Sequence, residues 1–273
     1  MSSTILVPVD GSLLAERALS LAGQLGSAAA GRLVLARVIA DENREVHADV
    51  QSYLRYAAGR LNYSGVPVET VVAHGAAATE ILRVARQYGA ELLVMSTHGH
   101  SGRGRWLYGS VADEVLRGAN IPLVLLPPAA QPELTDTRPL RILVPLDGSS
   151  LGEAALGPAR DWAERLGADL ILLQVLDAEA EVAGAAQYLD EVAGRCRSDS
   201  LHVVCRALPG RPVPSTIARV AYEESVDLIA MATHGRSGVA RLILGSVATG
   251  MLQRTDVPLL VVRPPAIAAR ADA

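Results

Sequence analysis

Hydrophobic residues along this chain fall into short apolar runs that alternate with segments in which apolar positions recur at helical spacing. The runs at 5–9 and 32–39 consist mostly of Val, Ile and Leu, which predicts buried strands. Between them the pattern predicts a helix over 13–25, with Ser12 as its N-cap and Gly26 as its end. The chain therefore opens with a strand, a helix and a second strand.

The same alternation continues through the first half of the chain. Three more strands are predicted at 66–73, 91–95 and 122–126. Three more helices are predicted at 46–62, 77–88 and 111–117. Strands that alternate with helices favour right-handed crossovers and a parallel sheet covered on both faces. We expect an α/β, doubly wound, five-stranded parallel sheet with strand order 3-2-1-4-5.

The pattern then restarts after a stretch rich in proline. Pro8 and Asp10 correspond to Pro145 and Asp147 at an offset of 137 residues, and later motifs repeat at an offset of 136. So small a slippage indicates two homologous domains in tandem. The predicted organisation is a first domain at 1–128, a linker at 129–139, a second domain at 140–265 and a frayed tail at 266–273. In the second domain, Pro158 falls inside the first helix and predicts a kink.

Composition narrows the class of protein. Half of the residues are hydrophobic, only 3% are aromatic and there is no Phe, so the core must be built from aliphatic side chains. A net charge of −4 without a basic stripe argues against nucleic acid as a partner. No apolar run reaches the roughly 20 residues that span a bilayer, and the N-terminus runs directly into a strand, leaving no room for a signal peptide. Two cysteines without a CxxC or metal-ligand spacing favour a reducing, cytoplasmic location.

One long motif occurs twice. Residues 97–112 (THGHSGRGRWLYGSVA) and 233–248 (THGRSGVARLILGSVA) are identical at ten of sixteen positions. Each follows an apolar run and leads into a helix, with Gly109-Ser110 or Gly245-Ser246 at the helix start. Free N–H groups at a helix N-terminus favour a phosphate. The alternative is a plain turn and cap, but two copies with one spacing favour a ligand-binding loop.

A second motif ends the first strand of each half. Asp10-Gly11-Ser12 and Asp147-Gly148-Ser149 follow Pro8-Val9 and Pro145-Leu146. In the order 3-2-1-4-5, the carboxyl ends of strands one and four flank the point where the strand order reverses, and ligands bind there in open α/β sheets. Both motifs are therefore expected to line one pocket. Taken alone, Asp10 is better explained as a cap or turn residue.

Other chemistries find less support. Neither a G-x-G-x-x-G nor a G-x-x-x-x-G-K-[ST] fingerprint is present, and no nucleophile elbow or paired carboxylates stand out, so no catalytic residue is predicted. His98-Gly99-His100 suggests a metal, but Arg236 replaces His100 in the second copy, which argues against chelation by the protein. Four arginines of the loops either neutralise phosphate charge or are solvated, namely Arg103, Arg105, Arg236 and Arg241.

Together, the Pro-x-Asp-Gly-Ser motif and the Thr-His-Gly, nine residues, Gly-Ser-Val motif resemble the universal stress protein family over nearly the whole chain. The resemblance implies an adenine-nucleotide-binding α/β fold that acts in stress response or signalling. ATP-binding members carry Gly-x-x-Gly, nine residues, then Gly-Ser or Gly-Thr. Here Gly99 and Gly109 match the later glycines, whereas Ser96 and Ala232 replace the first one.

The resemblance also implies the ligand contacts. In the first domain they are Pro8, Val9, Asp10, Val38, Met95, Ser96, Gly99, His100, Gly109, Ser110 and Val111. In the second they are Pro145, Leu146, Asp147, Val175, Met231, Ala232, Gly235, Arg236, Gly245, Ser246 and Val247. ATP is the expected ligand, with Mg²⁺ held mainly by its phosphates.

Two alternative functions remain open, and the sequence also predicts how the two domains assemble. The missing first glycine favours a scaffold that has lost nucleotide binding and works through an unknown protein partner. A slow ATPase, or a relative of adenylyl-transferring enzymes, would need an activated nucleophile, which the sequence lacks. The fifth strands begin at Pro122 and Pro258, as edge strands do, which predicts an intrachain pseudo-dimer through these strands. A homodimer of the whole chain is a further expectation.

Overall fold

A computed structural model describes residues 3–40, 44–98, 109–130, 134, 138–233 and 244–264. The chain divides into two compact units, residues 1–133 and 134–273. Among the described residues, no helix is both long and apolar enough to cross a membrane. The predicted pairing of the units and the predicted tail at 266–273 stay predictions, and the tail lies outside the described residues.

Unit 1 alternates strands and helices from its first residues. Its elements are β1 (Thr4–Pro8), α1 (Leu13–Ala28), β2 (Arg32–Ile39), α2 (Arg44–Gly59), β3 (Val68–His74), α3 (Ala77–Gln87), β4 (Leu92–Ser96), α4 (Ser110–Gly118) and β5 (Leu123–Leu126). A 3-10 turn at Asn62–Ser64 follows α2. All of the predicted elements of this unit are present, with boundaries shifted by a few residues.

Unit 2 repeats this order. Its elements are β6 (Arg141–Pro145), α5 (Leu156–Leu166), β7 (Asp169–Leu176), α6 (Val182–Cys196), β8 (Val203–Pro209), α7 (Val213–Glu223), β9 (Leu228–Ala232), α8 (Ser246–Arg254) and β10 (Leu259–Val262). Short 3-10 turns at Gly152–Ala155 and Glu179–Glu181 precede α5 and α6.

Each unit contains a parallel sheet with the predicted order. The strands of unit 1 run β3-β2-β1-β4-β5 and those of unit 2 run β8-β7-β6-β9-β10, with every described pairing parallel. The central strands are almost completely buried and aliphatic, as the composition predicts. The order reverses between β1 and β4 and between β6 and β9, so a crevice is expected at the carboxyl ends of these strands.

Two local predictions were wrong. Gly26 does not end α1, which continues to Ala28, because Gly26 is buried and its missing side chain makes room for Leu33 and Val66. Pro158 does not kink the interior of a helix either. It lies in the first turn of α5, where its missing N–H costs no helical hydrogen bond, and a 3-10 turn precedes it.

Candidate functional site

The carboxyl end of β1 is fixed by a short hydrogen-bonded turn. The N–H and hydroxyl of Ser12 donate to Oδ1 of Asp10 at 3.0 and 2.5 Å, and the Ser12 hydroxyl accepts from the N–H of Ala15 at 3.1 Å. Gly11 supplies the positive φ of 78° that the turn requires. Ser12 is therefore the N-cap of α1, as predicted, and Asp10 anchors the turn that leads into the cap.

Unit 2 builds the same turn after β6. Ser149 donates its N–H and hydroxyl to Oδ1 of Asp147 at 3.0 and 2.6 Å, and Gly148 has a φ of 80°. The Ser149 hydroxyl accepts from the N–H of Gly152 at 3.1 Å. Gly152 replaces Ala15, and a Cβ atom at this position would lie 2.6 Å from Oδ1 of Asp147. The two aspartates thus share one arrangement but differ in what packs against them.

The end of β4 is joined directly to the start of α4. Thr97 donates its N–H and hydroxyl to the carbonyl of Leu126 at 3.0 and 3.1 Å, and its own carbonyl accepts from the N–H of Gly109 at 2.7 Å. In unit 2 the N–H of Gly245 donates to the carbonyl of Thr233 at 2.5 Å. These backbone bonds hold each helix start at the end of its sheet, although residues 99–108 and 234–243 lie outside the described ranges.

The helix starts held in this way present backbone donors. Gly109 and Gly245 are the N-caps of α4 and α8, and neither helix has a side-chain cap. The first intrahelical bonds are made by the N–H groups of Asp113 and Thr249. The preceding N–H groups of each first turn therefore have no acceptor within the described chain, which is the arrangement that binds anions.

One cavity in unit 1 contains both motifs. Together with the open space at its mouth it has a volume of about 670 Å³, and it lies between the ends of β1, β2 and β4 and the start of α4. All predicted contacts that the structure describes line it, namely Pro8, Val9, Asp10, Val38, Met95, Ser96, Gly109, Ser110 and Val111. Gly99 and His100 lie outside the described residues. That these side chains contact a ligand stays a prediction.

Unit 2 contains the matching cavity, whose volume together with the open space at its mouth is about 1200 Å³. Its lining includes the nine described contacts predicted there, namely Pro145, Leu146, Asp147, Val175, Met231, Ala232, Gly245, Ser246 and Val247. Gly235 and Arg236 lie outside the described residues. Each unit therefore brings its two sequence motifs together at the point where its strand order reverses.

Both cavities have lining residues that the sequence did not single out. The helix after the third strand of each unit contributes Ala77 and Ile81 in unit 1, and Val213 and Ile217 in unit 2. Both pairs repeat at the offset of 136 that relates the glycine motifs, and this shared offset is the signal that could have found them. Unit 2 also adds two carboxylates, Asp177 and Glu181, that no motif indicated.

Ser96 stands at the end of β4, where ATP-binding members of the family have the first glycine of the Gly-x-x-Gly motif. Its hydroxyl donates to the carbonyl of His98 at 2.7 Å and so folds the backbone back on itself after the strand. Ala232 takes this place in unit 2 and has no hydroxyl to make the bond. The chain therefore leaves β4 and β9 under different constraints.

A second duplicated group joins the second helix of each unit to the segment that follows its first strand. In unit 2, Tyr188 donates its hydroxyl to Glu153 at 2.9 Å, and Arg195 binds the other oxygen of this carboxylate at 2.9 Å. Burial raises the pKa of the Tyr188 hydroxyl, and the charges of Glu153 and Asp147 raise it further, since each opposes a negative phenolate.

Unit 1 has the equivalent residues with looser geometry. Arg60 binds Glu16 at 2.5 Å, and Tyr53 lies near Glu16 without a hydrogen bond from its hydroxyl within the described chain. Burial, followed by the charge of Glu16, raises the pKa of Tyr53 to about 12. Asp10 contributes in the same direction, which places the phenol close to the turn at the end of β1.

Among the described residues, no three or more His, Cys, Asp or Glu side chains lie together so that they could hold a metal ion. His98 is tied to its neighbour instead, with Nδ1 3.1 Å from the Thr97 hydroxyl. In both units the described site offers backbone donors, an anchored aspartate and an apolar floor, and unit 2 adds Asp177 and Glu181.

Comparison with known proteins agrees with this architecture. The model of the universal stress protein family matches residues 1–127 and 140–263. A universal stress protein of Mycolicibacterium smegmatis is 29% identical over 213 residues, covering 73% of this chain and 70% of the relative. One from Mycobacterium tuberculosis strain H37Rv is 27% identical over 236 residues, covering 82% of this chain and 77% of the relative.

Solved structures show the same fold. A universal stress protein from Archaeoglobus fulgidus superposes with a TM-score of 0.76 at 21% identity, covering 96% of this chain and 99% of its own. A second structure, from Pseudomonas aeruginosa, gives a TM-score of 0.68 at 19% identity, covering 98% of this chain and 96% of its own. Because the family model matches both halves of the chain, the protein is a tandem member of the universal stress protein family.

Proposed function

We propose that this protein binds an adenine nucleotide, ATP first of all, in each of its two units, and that it acts in stress response or signalling without efficient catalysis. The observation that carries the proposal is the duplicated cavity, in which an uncapped helix start faces an anchored aspartate across an apolar floor. A nucleotide needs three chemically different surfaces, and each cavity supplies them.

The residues present fit the three parts of ATP. The first-turn N–H groups that begin at Ser110 and Ser246 are suited to the phosphates because they are donors at the positive end of a helix dipole. Asp10 and Asp147 are suited to ribose hydroxyls because a carboxylate accepts hydrogen bonds. Val9 and Val38, with their counterparts Leu146 and Val175, form an apolar floor for a base. Mg²⁺ would be held mainly by the phosphates.

The proposal also implies slow or absent turnover. Phosphoryl transfer needs a group that positions or deprotonates the nucleophile, in addition to phosphate binding. The ionisable side chain common to the two described cavities is an aspartate, Asp10 in unit 1 and Asp147 in unit 2. Each already accepts two hydrogen bonds from a serine. We expect steady-state ATP hydrolysis far below the roughly 1–100 s⁻¹ of kinases.

Placing a negative charge at the helix start tests the binding proposal. Ser110 and Ser246 are exposed, and a glutamate at the first helical position is compatible with the helix dipole, so Ser110→Glu and Ser246→Glu should both fold. The added carboxylate repels the phosphates. Calorimetry with ATP should give two sites in the native chain, one in each single variant and none in the double variant.

Each unit serves as the control for the other, and Ser110→Ala and Ser246→Ala control for loss of the hydroxyl alone. Because the N–H groups remain, the alanine variants should keep both sites with only a modest loss of affinity. Unchanged ATP binding in the double glutamate variant would refute the proposal. In that case the scaffold function, in which the protein works through a partner without nucleotide, becomes the better explanation.

A further inference from the structure

The two cavities differ at the end that is farthest from the helix start. In unit 2 the lining there includes Asp177, the first residue after β7, and Glu181. Strand β2 ends at Ile39, which pairs with the last residue of β3, just as β7 ends at Leu176, which pairs with the last residue of β8. The next residue is Ala40 in unit 1 and Asp177 in unit 2, so these two positions are equivalent. At this strand end, therefore, a carboxylate in unit 2 replaces a methyl group in unit 1.

The position of these carboxylates relates them to one end of a nucleotide. Strand β6 lies between β7 and β9, so the end of β7 is two strand spacings, or about 10 Å, from the strand that leads to α8. A nucleotide whose phosphates meet the start of α8 extends its base across Leu146 and Val175 toward β7. Asp177 and Glu181 therefore lie at the end of the cavity that receives the base.

An ion pair fixes the first of these carboxylates. Arg211 binds both oxygens of Asp177, with Nε 2.9 Å from Oδ1 and Nη2 2.5 Å from Oδ2. Arg211 belongs to a three-residue turn, Gly210 to Pro212, between β8 and α7, where unit 1 has only Gly75 and Ala76. The extra residue thus supplies the partner that orients Asp177.

The groups that face the cavity at this end accept hydrogen bonds and do not donate them. Arg211 is not among the lining residues, whereas Asp177 and Glu181 are. Glu181 is exposed and lines the cavity, so its carboxylate is accessible to a ligand. An ionised carboxylate offers only acceptor oxygens.

We propose that Asp177 and Glu181 make the pocket of unit 2 selective for a base with an exocyclic amino group, such as adenine, over the same base without that group, unsubstituted purine. The proposal rests on the proposed nucleotide-binding function. An amino group donates to these carboxylates, whereas purine carries only a C–H at that position and has no donor to offer there. Unit 1 has Ala40 at the equivalent position and is expected to discriminate less between the two bases.

ATP and purine riboside triphosphate are suitable probes, because they carry the same phosphates and the same N1 acceptor and differ only in the exocyclic amino group. In the Ser110→Glu chain only unit 2 should bind, and calorimetry should show ATP binding about tenfold tighter than purine riboside triphosphate, as expected for one charge-assisted hydrogen bond at a partly exposed site. In the Ser246→Glu chain, which reports on unit 1, the ratio should be smaller.

Adding Asp177→Asn and Glu181→Gln to the Ser110→Glu chain should lower the ratio, because a neutral amide oxygen is a weaker acceptor than a carboxylate. Both positions are exposed, so these changes should leave folding intact. Equal binding of the two triphosphates by native unit 2, or a ratio that the double amide variant leaves unchanged, would overturn the inference while nucleotide binding itself stands. If unit 2 binds neither triphosphate, the proposed function fails for that unit and the inference fails with it.

Discussion

Replacing Gly152 by alanine should separate the stability of unit 2 from its ligand affinity. The added Cβ would lie 2.6 Å from Oδ1 of Asp147, 3.4 Å from Oγ of Ser149 and 3.5 Å from Cγ of Asp147. A comfortable carbon–oxygen contact needs about 3.3 Å, so the carboxylate oxygen must move by roughly 0.7 Å. Asp147 cannot make this movement and keep both of its short bonds from Ser149.

The energies favour a loss of binding over a loss of folding. Weakening hydrogen bonds to a charged acceptor costs about 1.5–3 kcal/mol, and replacing glycine by alanine in helical backbone returns up to about 1 kcal/mol. We therefore expect unit 2 to be destabilised by about 1–2 kcal/mol. ATP affinity in the Ser110→Glu chain should fall about tenfold, because the displaced Asp147 no longer lines the cavity in its native position.

Two variants control for the general effect of removing or adding a methyl group. Gly157 is exposed in α5, and a Cβ added there would meet no neighbouring atom within 4 Å, so Gly157→Ala should stabilise the helix slightly and leave ATP binding unchanged. Unit 1 already has Ala15 at the place equivalent to Gly152, and Ala15→Gly should introduce no clash. Thermal unfolding and calorimetry measure the two effects. Native ATP affinity in Gly152→Ala would refute the assignment of Asp147 to the site.

Two further predictions concern the scaffold. Because the pKa values of Tyr53 and Tyr188 are raised, the folded state retains phenol protons that the unfolded state releases above pH 10. The protonated phenols therefore contribute a folding free energy that is fully present below pH 10 and is lost as the pH rises toward the folded pKa, which is about 12 for Tyr53. Replacing both tyrosines by phenylalanine should flatten the fall in unfolding temperature above pH 10, and an unchanged slope would contradict the assignment. Gly31→Ala should destabilise unit 1 by about 2–4 kcal/mol, because its Cβ would overlap the backbone carbonyl of Ser3. Gly59→Ala, which meets no atom within 4 Å, is the matched control in urea denaturation, and similar midpoints for the two variants would count against the overlap.

The sequence predicted the architecture well because its signals are local and repeated. Short aliphatic runs such as 32–39 identify buried strands, and the Asp-Gly-Ser turn identifies the end of β1 without reference to the rest of the chain. The expected strand order 3-2-1-4-5, which right-handed crossovers allow, then brings Asp10 and Ser110 to one cavity although 100 residues separate them.

What the sequence could not predict depends on packing between distant segments. Gly26 has the pattern of a helix stop, but its contact with Val66, 40 residues away, explains why it is buried within α1. Asp177 has the pattern of a solvated residue after a strand. Only the extra residue before α7 and the closeness of β7 to the cavity show that it is oriented by Arg211 and lines the site.

The backbone bond from Gly109 to Thr97, and its counterpart from Gly245 to Thr233, closes each glycine-bearing loop at its base. The position of the N–H groups at each helix start is therefore set by the sheet, and the residues between the two ends do not have to fix it. Such a loop can change its sequence, as it has at six of sixteen positions between the two copies, while the helix start stays in place. After duplication, one half of the chain can thus acquire a new preference for a ligand, or a new surface for a partner, at a site whose frame does not have to be rebuilt.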